Sequence, residues 1–126
     1  MSHARGTYPE ECCGLLIGCN SNPRHVQLTF AARNAAQPPR FRRYRIDPIE
    51  FIHASNEARR TNLELIGVYH SHPDAPVEPS QVDLENAWPN FTYIVISLEK
   101  GALRDVGAWS LNDLAATFEL EELTVI

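Results

Sequence analysis

Apolar and polar positions follow two rhythms along this chain. Cys13-Gly14-Leu15-Leu16-Ile17-Gly18 is a short continuous apolar run bounded by glycine, which predicts a buried strand. After a turn at Asn20-Ser21-Asn22-Pro23, the segment His25 to Ala32 sets Val26, Leu28 and Phe30 against His25, Gln27 and Thr29. That alternation predicts a half-buried strand paired with the first. Gln37-Pro38-Pro39 interrupts the pattern, and Phe41 to Ile46 resumes it, with Tyr44 and Ile46 on one face and Arg43 and Arg45 on the other. A further strand is expected there. Asp47-Pro48-Ile49-Glu50 then opens a helix, with Asp as N-cap, Pro at the first position and Glu at the third. The rhythm of Phe51, Ile52, Ala54, Ala58 and Asn62 carries it to about Asn62. Leu63 to Tyr69 is a strand, Pro73 to Pro79 a restricted loop, and Ser80 to about Trp88 a short helix that Pro89 helps to end. Phe91 to Leu98, β-branched and aromatic, suits a central strand, and Val106 to Leu111 follows it after a turn at Lys100-Gly101. The tail from Asp113, with Leu120, Leu123 and Val125, fits helix or strand equally. Strands interleaved with two helices predict an α/β or α+β sandwich in one domain, 1–126.

Composition narrows the class. A length of 126 residues supports one domain with a real core. No apolar stretch reaches the ~18 residues that span a bilayer, and the start Met1-Ser2-His3-Ala4-Arg5-Gly6-Thr7 lacks the apolar segment of a secretory signal, so a cytoplasmic location is expected. A net charge of −5 argues against nucleic acid or an anionic membrane as the main partner. Cys12, Cys13 and Cys19 are odd in number, which excludes a secreted disulfide framework and suits small buried hydrophobes in a reducing compartment.

The chemistry gathers at His70-Ser71-His72-Pro73, which closes the apolar run Leu65-Ile66-Gly67-Val68-Tyr69. Two imidazoles one residue apart on a strand share a face, with Cα atoms roughly 6.6 Å apart, so both can turn onto one metal ion. Asp83 is a candidate third ligand, and two nitrogens with one carboxylate leave the open position of a catalytic zinc site. Glu11, a carboxylate in a segment that otherwise reads as buried, is the candidate base for a metal-activated water. Ser80 can donate its hydroxyl to an oxyanion. Each residue also has a plainer role. Ser80-x-x-Asp83 is a common helix N-terminus, a His pair can simply satisfy buried hydrogen bonds, and Glu11 can be an exposed acid before a strand. Capping and chemistry are compatible, because a helix starting soon after His72 brings its first turn back beside the strand end.

His70-x-His72-Pro73, six residues and then Ser80-x-x-Asp83 resembles the motif of the JAMM (MPN+) metalloproteases. Pro9-Glu10-Glu11-Cys12-Cys13-Gly14 resembles the family's glutamate segment, Pro-x-Glu-x-Cys-Gly, and that alignment selects Glu11 over Glu10. Tyr44-Arg45-Ile46-Asp47-Pro48 before a helix is similar to bacterial members, and the resemblance runs from about Tyr8 to Trp109. It implies a cytidine-deaminase-like three-layer α/β sandwich, a curved mixed β-sheet flanked by helices, with zinc on His70, His72 and Asp83. It also implies Glu11 as acid/base and Ser80 as oxyanion support. The implied activity is hydrolysis of a peptide or isopeptide bond at the C-terminus of a ubiquitin-like or sulfur-carrier protein, the small carrier being favoured because long gripping insertions are lacking. The family normally places a strand and a full helix before the glutamate segment, whereas only eight residues precede Pro9 here, and Ser2-His3-Ala4-Arg5 matches the tail end of that helix.

The remaining residues bear on alternatives. His3, His25 and His53 have no spacing that links them to the site and are expected to be surface or structural. Cys13 falls on the side of Glu11 in an extended segment, and a closed site of two His, Asp and Cys would be structural zinc; its simpler role is core packing. Arg40, Arg42, Arg43 and Arg45 place four of eleven basic groups within six residues, either a solvated strand face or a docking patch for an acidic carrier. The competing function is an MPN-type interaction module with weak or no catalysis. Zinc deamination would need Cys-x-x-Cys and His-x-Glu, and neither is present. The oligomeric state stays open.

Overall fold

In the computed structural model, which describes residues 2–21, 24–40, 43–112 and 117–121, the chain forms nine elements. They are α1 (Ser2–Thr7), β1 (Cys13–Cys19), β2 (His25–Ala32), α2 (Pro48–Arg60), β3 (Glu64–Pro73), α3 (Gln81–Glu85), β4 (Thr92–Glu99), β5 (Ala102–Asn112) and β6 (Thr117–Glu121). The strands make one mixed sheet of order β2-β1-β3-β4-β5-β6. Only β3 and β4 run parallel, because the stretch holding α3 crosses between them; the other neighbours are antiparallel.

Strand alternation divides the core between two faces. Leu15, Ile17 and Val68 meet α2, where Ala54 and Ala58, one helical turn apart, let the helix lie close. Leu16, Ile66, Ile96 and Leu98 pack on the other face with Ala4 of α1. The register of β1 against β3 slips between Leu16 and Ile17, so Ile66 is an extra residue. That bulge turns Ile66 to the α1 face while Leu65 and Val68 both keep the α2 side. Gly14 lies opposite Tyr69, and a Cβ there would sit 2.2 Å from its ring, so the glycine makes room for the tyrosine. Helix α2 begins as the sequence requires, with Asp47 Oδ1 accepting from the Ile49 N–H at 3.1 Å.

Several expectations need correction. Residues 43–46 form no strand: Tyr44 and Ile46 do pack inward, but the backbone bonds to Asn34 and Ala35 instead of a ladder, while Phe41 and Arg42 lie outside the described residues. The short helix spans only Gln81–Glu85, one turn less than expected. The strand β2 was expected to be half-buried, yet it is an edge strand whose Val26 and Leu28 stay 43% and 41% exposed, because α2 packs on β1 and β3 instead. The tail resolves to strand at β6, with Leu123 and Val125 outside the described residues, as are Asn22 and Pro23 of the expected turn. No described helix is long and apolar enough to cross a membrane.

Candidate metal centre

The pleat of β3 sends His70 and His72 to the α2 face and Ser71 to the other, where its Oγ accepts from the Cys12 N–H at 2.8 Å. The two Nε2 atoms lie 3.0 Å apart. Asp83 arrives through α3: its N–H donates to Ser80 Oγ at 3.0 Å, and its Oδ2 accepts from the Ser80 N–H at 2.8 Å, a complete capping box. The same Oδ2 sits 3.2 Å from His70 Nε2 and 3.3 Å from His72 Nε2. Capping thus aims the carboxylate at the histidines. Pro76 O accepts from His72 Nδ1 at 2.7 Å, which puts the proton on Nδ1 and leaves the Nε2 lone pair for the site. Among the described residues His70 Nδ1 is buried with no hydrogen-bond partner, and its ring is instead stacked on Tyr44 at 4.5 Å between centroids and 21° between planes.

Electrostatics suit a cation. Burial pushes His70 below its usual pKa, against the hydrogen bond and charge of Asp83, so it is neutral at pH 7. Burial also lowers His72, but the bonds to Asp83 and Pro76 and the charges of Asp83 and Glu11 outweigh it and leave this ring raised. Burial raises Asp83, yet the histidines and the Ser80 N–H hold it well below the carboxylate range. Glu11 is 5% exposed, and burial pushes it up to about 8, with His72 opposing and Asp83 adding to the rise.

The donor set fits a metal ion. Donors about 2.0–2.1 Å from one tetrahedral zinc stand about 3.3 Å from one another, close to the 3.0, 3.2 and 3.3 Å found among His70, His72 and Asp83. Glu11 offers an oxygen that, with a ring nitrogen of each histidine, makes a group whose members all lie within 4.8 Å of one another. Its Oε1 is buried with no hydrogen-bond partner among the described residues.

The comparisons with known proteins meet this geometry. Residues 1–112 match the family described as prokaryotic homologs of the JAB domain. The chain belongs to that family. This JAB-family chain is 36% identical over 102 residues to a desampylase of Haloferax volcanii, covering 77% of the chain and 72% of the relative. It is 28% identical over 123 residues to the CysO-cysteine peptidase of Mycobacterium tuberculosis, covering 94% and 80%. A solved structure of a Desulfitobacterium hafniense protein superposes with a TM-score of 0.82 at 31% identity, covering 96% and 82%. The α/β sandwich and the JAMM hydrolase class implied by the motifs both hold.

Support for the Glu11 side comes from residues that sequence reasoning passed over. The Glu11 N–H donates to Arg40 O at 2.7 Å, and Asn34 Nδ2 donates to Glu11 O at 3.1 Å. Asn34 also donates to Arg43 O at 2.9 Å and accepts from the N–H groups of Ala36 at 3.0 Å and Arg45 at 3.1 Å. One amide therefore ties the glutamate segment to the segment carrying Tyr44. Neither Asn34 nor Tyr44 has a spacing that announces this role. His3 is structural, its Nδ1 2.8 Å from the Tyr69 hydroxyl, and His25 and His53 are exposed. Cys13 is a buried core residue opposite His70, outside the candidate metal group among the described residues. Asp83 also lines a cleft of about 770 Å³, together with Arg43, Tyr44, Arg45, Ile46, Val82 and Trp88 among others.

Proposed function

We propose that this chain is a zinc peptidase that cleaves the peptide or isopeptide bond at the C-terminus of a ubiquitin-like or sulfur-carrier protein. The observation that carries the reading is the convergence of His70, His72 and Asp83, with buried Glu11 nearby, Asp83 also lining an open cleft. The names of the relatives, a desampylase and a CysO-cysteine peptidase, support the substrate class. His70, His72 and Asp83 would hold the zinc, and Glu11 and Ser80 would act on the reacting groups. Zinc, when bound, supplies Lewis acidity that makes water nucleophilic near neutral pH and polarises the scissile carbonyl.

The chain's own groups do the rest. Glu11 takes the proton of the attacking water on a carboxylate oxygen and delivers it to the departing amine, so the acyl product keeps the water oxygen and the amine leaves neutral. Burial raises Glu11 in the metal-free chain, and a cation held beside it would oppose that rise and favour the ionised, proton-accepting form. Ser80 Oγ already accepts from the Asp83 N–H, and its own hydrogen is free to donate to the oxyanion formed as the carbonyl is attacked. A complete set of these five residues argues for the enzyme over an inactive interaction module.

The test uses a zinc-loaded chain and a carrier protein joined through Gly-Gly to a reporter. Glu11→Gln is expected to keep stoichiometric zinc and lose about 10²–10⁴-fold in kcat. Ser80→Gly keeps most of the cap and should lose about 10²-fold or more. Undiminished turnover in Glu11→Gln would overturn the mechanism.

A further inference from the structure

The four arginines of the basic run are not one patch. Arg40 turns away to Glu10, 3.7 Å from its carboxylate, and Arg42 lies outside the described residues. Arg43 and Arg45 remain exposed and line the same cleft as Asp83. Their backbone is fixed rather than loose, since Asn34 holds Arg43 O and the Arg45 N–H, and the Ala35 N–H donates to Arg45 O at 2.8 Å. Inward packing of Tyr44 and Ile46 leaves the two guanidinium groups at the rim.

The charge in the cleft is one-sided. Among the described residues Arg43, Arg45 and Asp83 are its charged lining residues, and Asp83 is committed to the histidines and the Ser80 N–H. Among the described residues neither arginine forms an ion pair. Val82 and Trp88, 58% and 63% exposed, are large apolar groups lining the same cleft. A volume of about 770 Å³ falls in the range of ligand-binding clefts, roughly 300–1,000 Å³.

We propose that this cleft is a docking groove for the C-terminal tail of the substrate, and that it selects a tail carrying acidic and apolar side chains just ahead of the residues that enter the metal centre. Guanidinium groups pair with carboxylates and repel a basic tail, while Trp88 and Val82 cover an apolar side chain. The net charge of −5 gives no general attraction for an acidic protein body, so the selection acts on the tail alone. The inference rests on the peptidase reading for the identity of the tail, and binding can be measured without turnover.

Three fluorescein-labelled peptides ending in Gly-Gly, alike except for Glu, Gln or Arg at the positions preceding it, are titrated into zinc-loaded Glu11→Gln protein by anisotropy. At low salt the Glu peptide is expected to bind about tenfold tighter than the Arg peptide, with Gln between, and the spread should shrink as salt rises. The double variant Arg43→Glu, Arg45→Glu should reverse the order, and Arg43→Gln, Arg45→Gln should level it. Equal binding of the three peptides, or an order the double variants leave unchanged, overturns the docking proposal. The same peptides, amidated with a fluorogenic amine, are then offered to the native zinc-loaded chain. Turnover of all three at one kcat/KM overturns the selectivity and keeps the peptidase; charge-selective binding without turnover keeps the groove and overturns the peptidase.

Discussion

The two sides of the centre are built in opposite ways. His70, His72 and Asp83 come from one short stretch, where a strand pleat aligns the rings and a capping box aims the carboxylate. Glu11 is brought from the far end of the chain and held by the Arg40 carbonyl and the Asn34 amide. One side is therefore self-organised by local rules, and the other depends on a loop docked by long-range hydrogen bonds. Even the two histidines differ: a carbonyl orients His72, and the Tyr44 ring orients His70. The arrangement of His70, His72 and Asp83 should survive damage elsewhere that displaces Glu11.

The largest effect is expected from Asp83→Ala, which breaks the local side. Zinc affinity should fall by more than about 10²-fold, since one ligand of three is lost, and activity with it. Metal retained at native affinity in an equilibrium competition with a chelating dye would mean that Asp83 caps a helix and nothing more. Asn34→Ala breaks the other side. It removes four hydrogen bonds and should cost about 2–4 kcal/mol in urea unfolding, while kcat falls at least about tenfold and zinc affinity stays within a factor of about two. Parallel loss of zinc and turnover would show that the two sides are not separable.

A smaller effect concerns Glu11 in chelated protein. Its folded pKa is about 8 against 4.5 for the free group, so folding favours the protonated form. Stability is then fully present below about pH 4.5 and is lost as pH rises toward 8, because the unfolded chain ionises first. Glu11→Gln, which mimics the protonated acid, should gain about 3–4 kcal/mol on the parent chain between pH 5 and pH 8. A flat difference across that window would mean that the buried carboxylate is already ionised and paired.

What could be read from the chain follows the same division. The face shared by His70 and His72, the Asp47 cap of α2 and the Ser80–Asp83 box are legible because they depend on spacings of two or three residues. Glu11 was legible as a carboxylate in an otherwise buried segment, and resemblance to a family motif selected it over Glu10. The inward placement of Tyr44 and Ile46 was legible as well, but the strand expected around them was not formed, since a strand needs a neighbour and alternation does not name one. Val26 and Leu28 carry the right pattern for burial and remain exposed for the same reason. By itself, then, the sequence determined the shared face of His70 and His72, the capping box that carries Asp83, the helix starts and which side chains alternate. Tertiary structure decided the strand order, the parallel pairing of β3 with β4, the clamp of Asn34 on Glu11, the Tyr44 ring against His70 and the arginine-lined cleft. Those are contacts between segments far apart in the chain, and no local propensity encodes which distant segments will meet.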